Sequence, residues 1–261
     1  MFEVAEAYEV MMGRWSRQLA PMFVEFVGVR DGERVLDVGC GTGALSATLA
    51  RVRGASKIVG IDPSSGFIEY ARTQIADPRI TFEVGDAQAL PYPDKSFDRS
   101  MALLIVNFIP DAPKAAKEMR RVTKSGGAVA TTMWDGSRVN ELQNCLWDAA
   151  IAIDPTVKRP FEGRRSYGSA EALSDLLTGA GLTDIEVTDL TMPCQFSSFD
   201  ELWQRYLGGS SAGPSGVYVA GLTEDRREAV KQRLRQDVLR GGTDRPFILR
   251  AKAWAVRSVV P

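Results

Sequence analysis

The sequence predicts an α/β fold built on a doubly wound, mostly parallel sheet, and three observations predict it. Five apolar, β-branched runs bounded by Gly, Pro or Asp fall at residues 34–38, 57–61, 80–85, 97–106 and 127–133. Stretches with helical spacing separate them. The first run opens directly into Gly39-Cys40-Gly41-Thr42-Gly43, a turn with another helical stretch behind it. Such alternation feeds a parallel sheet, because parallel neighbours need a crossover long enough to return along a helix.

In chain order, residues 1–30 read as an N-terminal helical cap, an aromatic and methionine-rich stretch that includes Tyr8, Arg14 and Trp15. Residues 44–50 place Leu45, Thr48 and Leu49 on one helix face, and 66–75 do the same with Phe67, Ile68, Ala71 and Ile75. After Met133 the rhythm changes. Leu142, Cys145, Leu146, Ala149, Ala150 and Ile153 mark an amphipathic helix ending before Pro155. A loop rich in Pro, Gly and Arg follows, carrying Arg159, Arg164 and Arg165.

Residues 170–179 form the next helix, with Leu173, Leu176 and Leu177 inward and Gly179 and Gly181 closing it, and 183–190 alternate as a strand. Ser198 and Glu201 have capping-box spacing and start a helix with Phe199, Leu202, Trp203, Tyr206 and Leu207 on one stripe. Residues 208–216 read as a flexible Gly/Ser-rich connection, 223–240 as a charged helix stopped by Gly241 and Gly242, and 247–256 as a last strand. The expected organisation is one domain over 1–261, with a ligand-binding half at 31–134 and helical insertions at 135–168 and 194–246 forming a substrate lid.

Bulk properties exclude several function classes. The chain of 261 residues carries 32 basic and 33 acidic side chains, a balance with no net field to draw a polyanion, so no nucleic-acid partner is expected. Its longest apolar run, residues 101–109, is interrupted by Asn107 and falls well short of the ~20 residues that span a bilayer. Acidic Glu3, Glu6 and Glu9 and the lack of an apolar stretch near them predict a cytoplasmic protein. Three scattered cysteines suit neither a disulfide framework nor a zinc site, so no metal is expected. Histidine is absent, which removes the usual general base and every His-containing triad. Sequence leaves the oligomeric state open, a homodimer included.

The chemistry concentrates in Val35-Leu36-Asp37-Val38-Gly39-Cys40-Gly41-Thr42-Gly43. Glycines let the backbone turn sharply and let a ligand lie on bare peptide groups beside a helix N-terminus. Alone, the turn means only that a tight bend is needed. Asp62, which ends the second run and precedes Pro63, adds a carboxylate about twenty residues on, placed to accept both hydroxyls of a ribose or to cap the helix that follows. Asp86-Ala87 ends the third run: a carboxylate there accepts from an exocyclic amine while the next amide donates to a ring nitrogen, together recognising adenine. Cys40, inside the turn, needs only to be small.

On these motifs the chain resembles the class I S-adenosylmethionine-dependent methyltransferases of the ubiquinone/menaquinone-biosynthesis-like small-molecule group, over about residues 33–133. The resemblance implies a Rossmann-like sheet of about seven strands and S-adenosyl-L-methionine as cofactor. It implies that Asp37, Gly39, Cys40, Gly41 and Gly43 hold the methionine part, Asp62 with Pro63 the ribose, and Asp86-Ala87 the adenine, with Leu104 also at the cofactor. Phe97-Asp98, Pro110-Asp111 and the turn at 122–127 sit where similar enzymes carry theirs. The segment at Tyr8 and Trp15 is similar to one that closes over the cofactor, although such a helix equally serves core packing.

One departure matters. Related sequences often carry histidine just after the fourth strand, where this chain has Asn107 and Phe108, so a histidine base there is excluded. The expected reaction is direct methyl transfer to O, N or C of a small-molecule acceptor, with Asn107 and Tyr8 as candidates on the acceptor side. Trp134, Trp147, Tyr167, Trp203 and Tyr206 either shape an acceptor pocket or pack helices, and packing is preferred for Trp147 and Trp203. Two rival readings stand beside this one. A nicotinamide-dependent reductase would want Gly-x-Gly-x-x-Gly, which Gly39, Gly41 and Gly43 do not reproduce. A non-catalytic S-adenosylmethionine-binding protein would keep the cofactor half alone.

Overall fold

A computed structural model describes residues 5–52, 57–137, 139–160, 167–207 and 213–261. The elements run α1 (Ala5–Tyr8), a π-helical turn (Glu9–Gly13), α2 (Arg14–Val27), β1 (Arg34–Val38), α3 (Ala44–Val52), β2 (Lys57–Asp62), α4 (Ser65–Gln74), β3 (Ile80–Val84) and β4 (Phe97–Leu103). A 3-10 turn (Val106–Phe108), α5 (Ala112–Val122), β5 (Thr123–Trp134), α6 (Glu141–Ile153), α7 (Ala170–Gly179) and β6 (Thr183–Phe196) follow. The chain ends with α8 (Phe199–Gln204), α9 (Gly213–Ala220), α10 (Glu224–Leu239) and β7 (Phe247–Val259).

Among the described residues the sheet has seven strands, in the order β3-β2-β1-β4-β5-β7-β6. Strands β3, β2, β1, β4 and β5 pair in parallel, and β7 runs antiparallel to β5. The chain leaves β1 for β2 and β3 on one side and returns to place β4 on the other, so the order reverses between β1 and β4. Open sheets of this kind bind ligands at the carboxyl ends of the strands beside such a switch point. The fold class and the strand count expected from sequence are those observed.

The chain divides into two compact units. One comprises Gly13–Gly136, Ser166–Leu190 and Ala253–Pro261. In it, Leu36, Val38, Ile61, Phe97 and Val129 of the strands, Met119 and Val122 of α5, and Leu173 and Leu177 of α7 are buried in one core. A smaller cluster of Cys40, Ile68, Ala71 and Phe82 packs α4 against the sheet. The loop leading into β4 is tied to the end of α5: Arg121 donates to the carbonyls of Leu90 at 2.9 Å and Tyr92 at 2.8 Å, and Glu118 accepts from the Leu90 amide at 2.9 Å. Asp98 accepts from the Arg34 amide at 2.8 Å and from Lys124 Nζ at 2.6 Å, a bracing role within the strands.

The other unit comprises Met1–Met12, Ser137–Arg165 and Thr191–Lys252 and is built on helices. Trp147 packs against Tyr218 with ring centroids 5.2 Å apart, and Trp203 sits against Phe199 and Tyr206, so both tryptophans are helix-packing residues here. Tyr206 and Cys145 lie 3.4 Å apart, hydroxyl to thiol.

Several elements differ from the sequence reading. β4 stops at Leu103 rather than at 106, because Leu104 takes a left-handed φ of 63° and turns the chain into the 3-10 turn. β5 starts at Thr123 rather than at 127. Its pairing with β4 shifts register between Phe97 and Arg99, and Gly127 sits where a Cβ would lie 2.5 Å from the Asp98 carbonyl. β6 continues past Leu190 through Pro193, which a sheet-edge strand tolerates because proline removes a ladder donor only.

Of the connection read at 208–216, residues 213–216 belong to α9, while 208–212 lie outside the described residues. The Ser198 hydroxyl caps α8, accepting from Glu201 N at 3.3 Å, but the Glu201 carboxylate turns to the amide and hydroxyl of Ser197 instead of closing a capping box. Arg159, in the loop after α6, donates to Asn144 Oδ1 at 2.6 Å and pairs with Asp148. Arg164 and Arg165 lie outside the described residues.

Candidate active site

The parallel register aligns the carboxyl ends of four strands, with Asp37 opposite Gly60 and Met101, and Asp62 opposite Val84. This brings Asp37, the glycine turn, Asp62, Asp86-Ala87 and Leu104 to one end of the sheet, although up to 67 positions separate them in sequence.

The glycine turn is held by its neighbour strand. The amides of Gly39 and Cys40 both donate to the Ile61 carbonyl, at 2.8 and 3.0 Å, and Gly41 N donates to Asp62 Oδ2 at 3.0 Å. Gly39, Gly41 and Gly43 all have left-handed φ, at 68°, 54° and 89°. They differ in what surrounds them. A Cβ on Gly39 would run into the Ile105 side chain, and one on Gly43 would meet Ile75 and Phe82 at 2.5 and 3.0 Å. A Cβ on Gly41 would meet nothing within 4 Å among the described residues, so the side of Gly41 where a side chain would stand is open there.

Asp37 is wholly buried at the end of β1. The Ser46 hydroxyl of α3 donates to its Oδ2 at 2.7 Å, while Oδ1 has no hydrogen-bond partner among the described residues. Burial dominates its titration and pushes it from 3.8 up to about 7, against the lowering effect of Ser46. A buried oxygen with an open acceptor position suits a ligand donor or cation. Asp62, 5% exposed, accepts from Gly41 N and from Ser64 N at 2.9 Å, and burial raises its pKa. The N-cap of α4 is Ser64, whose hydroxyl accepts from Phe67 N at 3.3 Å, so the capping alternative read for Asp62 passes to Ser64. Pro63 is exposed between them.

Asp86 is exposed beyond β3, and Gln88 holds its carboxylate through the backbone amide at 2.8 Å and through the side-chain amide. Those hydrogen bonds lower its pKa, which keeps it ionised. Ala87 is buried beside it. Leu104 is held in its left-handed turn by its amide, which donates to the Thr132 carbonyl at 2.9 Å. A left-handed leucine is a strained residue of the kind that collects at ligand sites. Cys40 is buried against Gly60, and burial pushes its thiol up, away from reactivity.

Asn107 Oδ1 accepts from the Tyr167 amide at 2.8 Å, so this candidate already spends its acceptor on the backbone that precedes α7. Gly168 beside Tyr167 accepts from Gly136 N at 2.9 Å. Trp15 is buried in α2 with the Arg14 guanidinium 3.9 Å from its ring centroid. Tyr8 is half-buried and belongs to the helical unit. The sequence reading missed Ser46 and Gln88. Their only signal is position, in the first helix turn after the glycines and two residues after Asp86, and many polar residues share it.

A family model described as "Methyltransferase domain" matches residues 35–127, the stretch from β1 into β5. Methyltransferase GfsG of Streptomyces halstedii is 32% identical over 203 residues, 71% of this chain and 67% of the relative. The 2-methyl-6-phytyl-1,4-hydroquinone methyltransferase of Synechocystis sp. is 32% identical over 179 residues, 66% of this chain and 54% of the relative. Among solved structures, phosphoethanolamine N-methyltransferase 2 of Haemonchus contortus in complex with S-adenosyl-L-methionine superposes with a TM-score of 0.60 at 19% identity, covering 98% of this chain and 56% of that one.

Proposed function

The chain belongs to the class I S-adenosylmethionine-dependent methyltransferases, and from that premise we propose that it methylates O, N or C of a small-molecule acceptor through the residues gathered at the carboxyl ends of β1 to β4. The observation that carries the site assignment is the contrast at the glycine turn. Among the described residues, a Cβ on Gly41, unlike one on Gly39 or Gly43, would meet nothing within 4 Å, and Asp37, which is in β1 ahead of the turn, has a buried Oδ1 with no hydrogen-bond partner. S-adenosyl-L-methionine, when bound, supplies an activated methyl group and so asks the protein mainly for alignment and exclusion of water.

In this reading Asp37 and the turn Gly39-Cys40-Gly41 take the methionine end, with Gly43 giving the turn its exit into α3. Asp62 takes the ribose hydroxyls with its remaining acceptor positions, beside Pro63. Asp86 accepts the adenine amine and the Ala87 amide meets the ring. Leu104 and Trp15 line the apolar parts. Asn107 acts on the acceptor side by fixing the Tyr167 backbone, and Tyr8 is the second acceptor-side candidate. The division into a cap over 1–30, a cofactor half over 31–134 and acceptor-specific insertions over 135–168 and 194–246 belongs to the same proposal.

No helix among the described residues is long and apolar enough to cross a membrane. We read the protein as cytoplasmic, without a nucleic-acid partner, and take a homodimer as the assembly to test by light scattering. The likeness to a hydroquinone methyltransferase puts phenols and quinols first among acceptors.

Titration calorimetry tests the cofactor half. S-adenosylmethionine and S-adenosylhomocysteine are expected to bind at micromolar affinity, and binding of NADH in their place would overturn the assignment. Transfer of labelled methyl to a panel headed by quinols tests the acceptor. Cofactor binding without transfer to any of them would favour a non-catalytic role.

A further inference from the structure

Gln88 makes three hydrogen bonds to one carboxylate and one to a helix start. Its backbone amide donates to Asp86 Oδ1 at 2.8 Å, and its Nε2 donates to Oδ1 and Oδ2, each at 3.0 Å. Its Oε1 accepts from the Asp111 amide at 3.0 Å. Asp111 in turn caps α5, its carboxylate accepting from Lys114 N at 3.0 Å. The side-chain amide of Gln88 thus spans the gap between the end of β3 and the N-terminus of α5, with its donor on one and its acceptor on the other.

We propose that Gln88 is a positioning residue that sets selectivity for adenine by presenting Asp86 in one orientation, an inference that rests on the reading that Asp86 receives the adenine amine. An exposed carboxylate otherwise rotates among conformers, and fixing it on ligand binding costs entropy. A carboxylate offers about four lone-pair positions, and Gln88 fills three of them here. The position left on Oδ2 matches one amine proton. A base with a carbonyl in place of the exocyclic amine offers an acceptor to that oxygen, and two acceptors repel.

The bond to Asp111 matters as much as the bonds to Asp86. It prevents the Gln88 amide from flipping, because a flip would set its carbonyl against Asp86 and its amine against a backbone donor. The hydrogen-bond polarity of the Asp111 amide is therefore passed through Gln88 to the carboxylate.

Calorimetry with S-adenosylhomocysteine and S-inosylhomocysteine on the full chain tests this. The unaltered protein is expected to prefer the adenosyl ligand by about tenfold or more, and Asp86→Ala to abolish that preference. Gln88→Ala is expected to cut the preference by about three- to tenfold while affinity for the inosyl ligand holds. Gln88→Glu keeps an acceptor for the Asp111 amide and the backbone donor to Asp86 but has no side-chain donor for it, and is expected to cut the preference at least as far. Should Gln88→Ala fail to fold, Gln88→Glu decides the matter alone.

Undiminished preference in the Gln88 variants, alongside its loss in Asp86→Ala, would overturn the role of Gln88 and leave Asp86 in place. Equal weakening of both ligands by Gln88→Ala would likewise reduce Gln88 to a structural brace. If Asp86→Ala kept the full preference, the adenine reading itself would fall.

Discussion

Oδ2 of Asp62 accepts from the amide of Gly41 at 3.0 Å, so the carboxylate that ends β2 clasps the turn that leaves β1. Its other oxygen holds Ser64 at the start of α4. One side chain therefore braces two loops of the proposed cofactor site and retains acceptor positions for a ribose.

Asp62→Ala is expected to show both roles. Leaving a part-buried amide unpaired costs about 1–3 kcal/mol, which a lowered denaturant midpoint will register. Affinity for S-adenosylhomocysteine should fall about tenfold or more. Lost stability with full affinity would leave the brace and remove the ribose role.

The three glycines of the turn should separate by substitution with alanine. Each takes on about 1–2 kcal/mol of left-handed strain. Gly39→Ala and Gly43→Ala also collide with Ile105 or with Ile75 and Phe82, so their losses of stability should exceed that of Gly41→Ala. Gly41→Ala, with nothing near its new methyl, should stay folded and lose cofactor affinity out of proportion to its stability. Thermal melts paired with calorimetry make the comparison.

Asp37 makes stability depend on pH. Its carboxyl titrates at about 7 in the folded chain against 3.8 as its ordinary value, so between those values the folded state holds a proton that the unfolded state has released. The stability it contributes is complete below about 4 and is lost as pH rises through about 7. Denaturant titrations of Asp37→Asn should lack this slope, and the difference from the unaltered protein should level off above pH 7. A cation beside Asp37 favours the ionised form, so S-adenosylmethionine should also bind more tightly as pH rises through that range.

Asn107→Ala should destabilise the chain by about 1–3 kcal/mol, because the Tyr167 amide loses its acceptor. Asn107→Asp retains an oxygen there and should recover most of the stability. If Asn107 acts by positioning, turnover should follow the same order. An Asn107→Asp variant that is stable yet inactive would instead put the carboxamide in contact with acceptor.

Much of this was legible in the sequence. The period of the apolar runs marked the strands and the helices between them, since burial on both faces selects continuous β-branched segments in a parallel sheet. The placing of Asp37, the glycines, Asp62 and Asp86 together was legible because each lies at or just past the end of a run, and in a parallel sheet the ends of runs meet. The extents of β4, β5 and β6 were not. A left-handed leucine at 104, a register shift at Phe97 and a proline on an edge strand depend on neighbours that local periodicity does not contain.

What the sequence by itself determined is the fold class, the order of elements and which residue types stand at the strand ends, because these follow from the spacing of apolar residues and glycines along one chain. Tertiary structure alone decided which of those residues have their polar groups paired and which do not. Among the described residues, burial leaves Asp37 Oδ1 without a hydrogen-bond partner, the Ile61 carbonyl and Asp62 hold a turn in which only Gly41 has room for a Cβ, and Asn107 accepts from the Tyr167 amide. Hydrogen-bond partners across the sheet settle that distinction, and sequence distance has no bearing on which groups meet there.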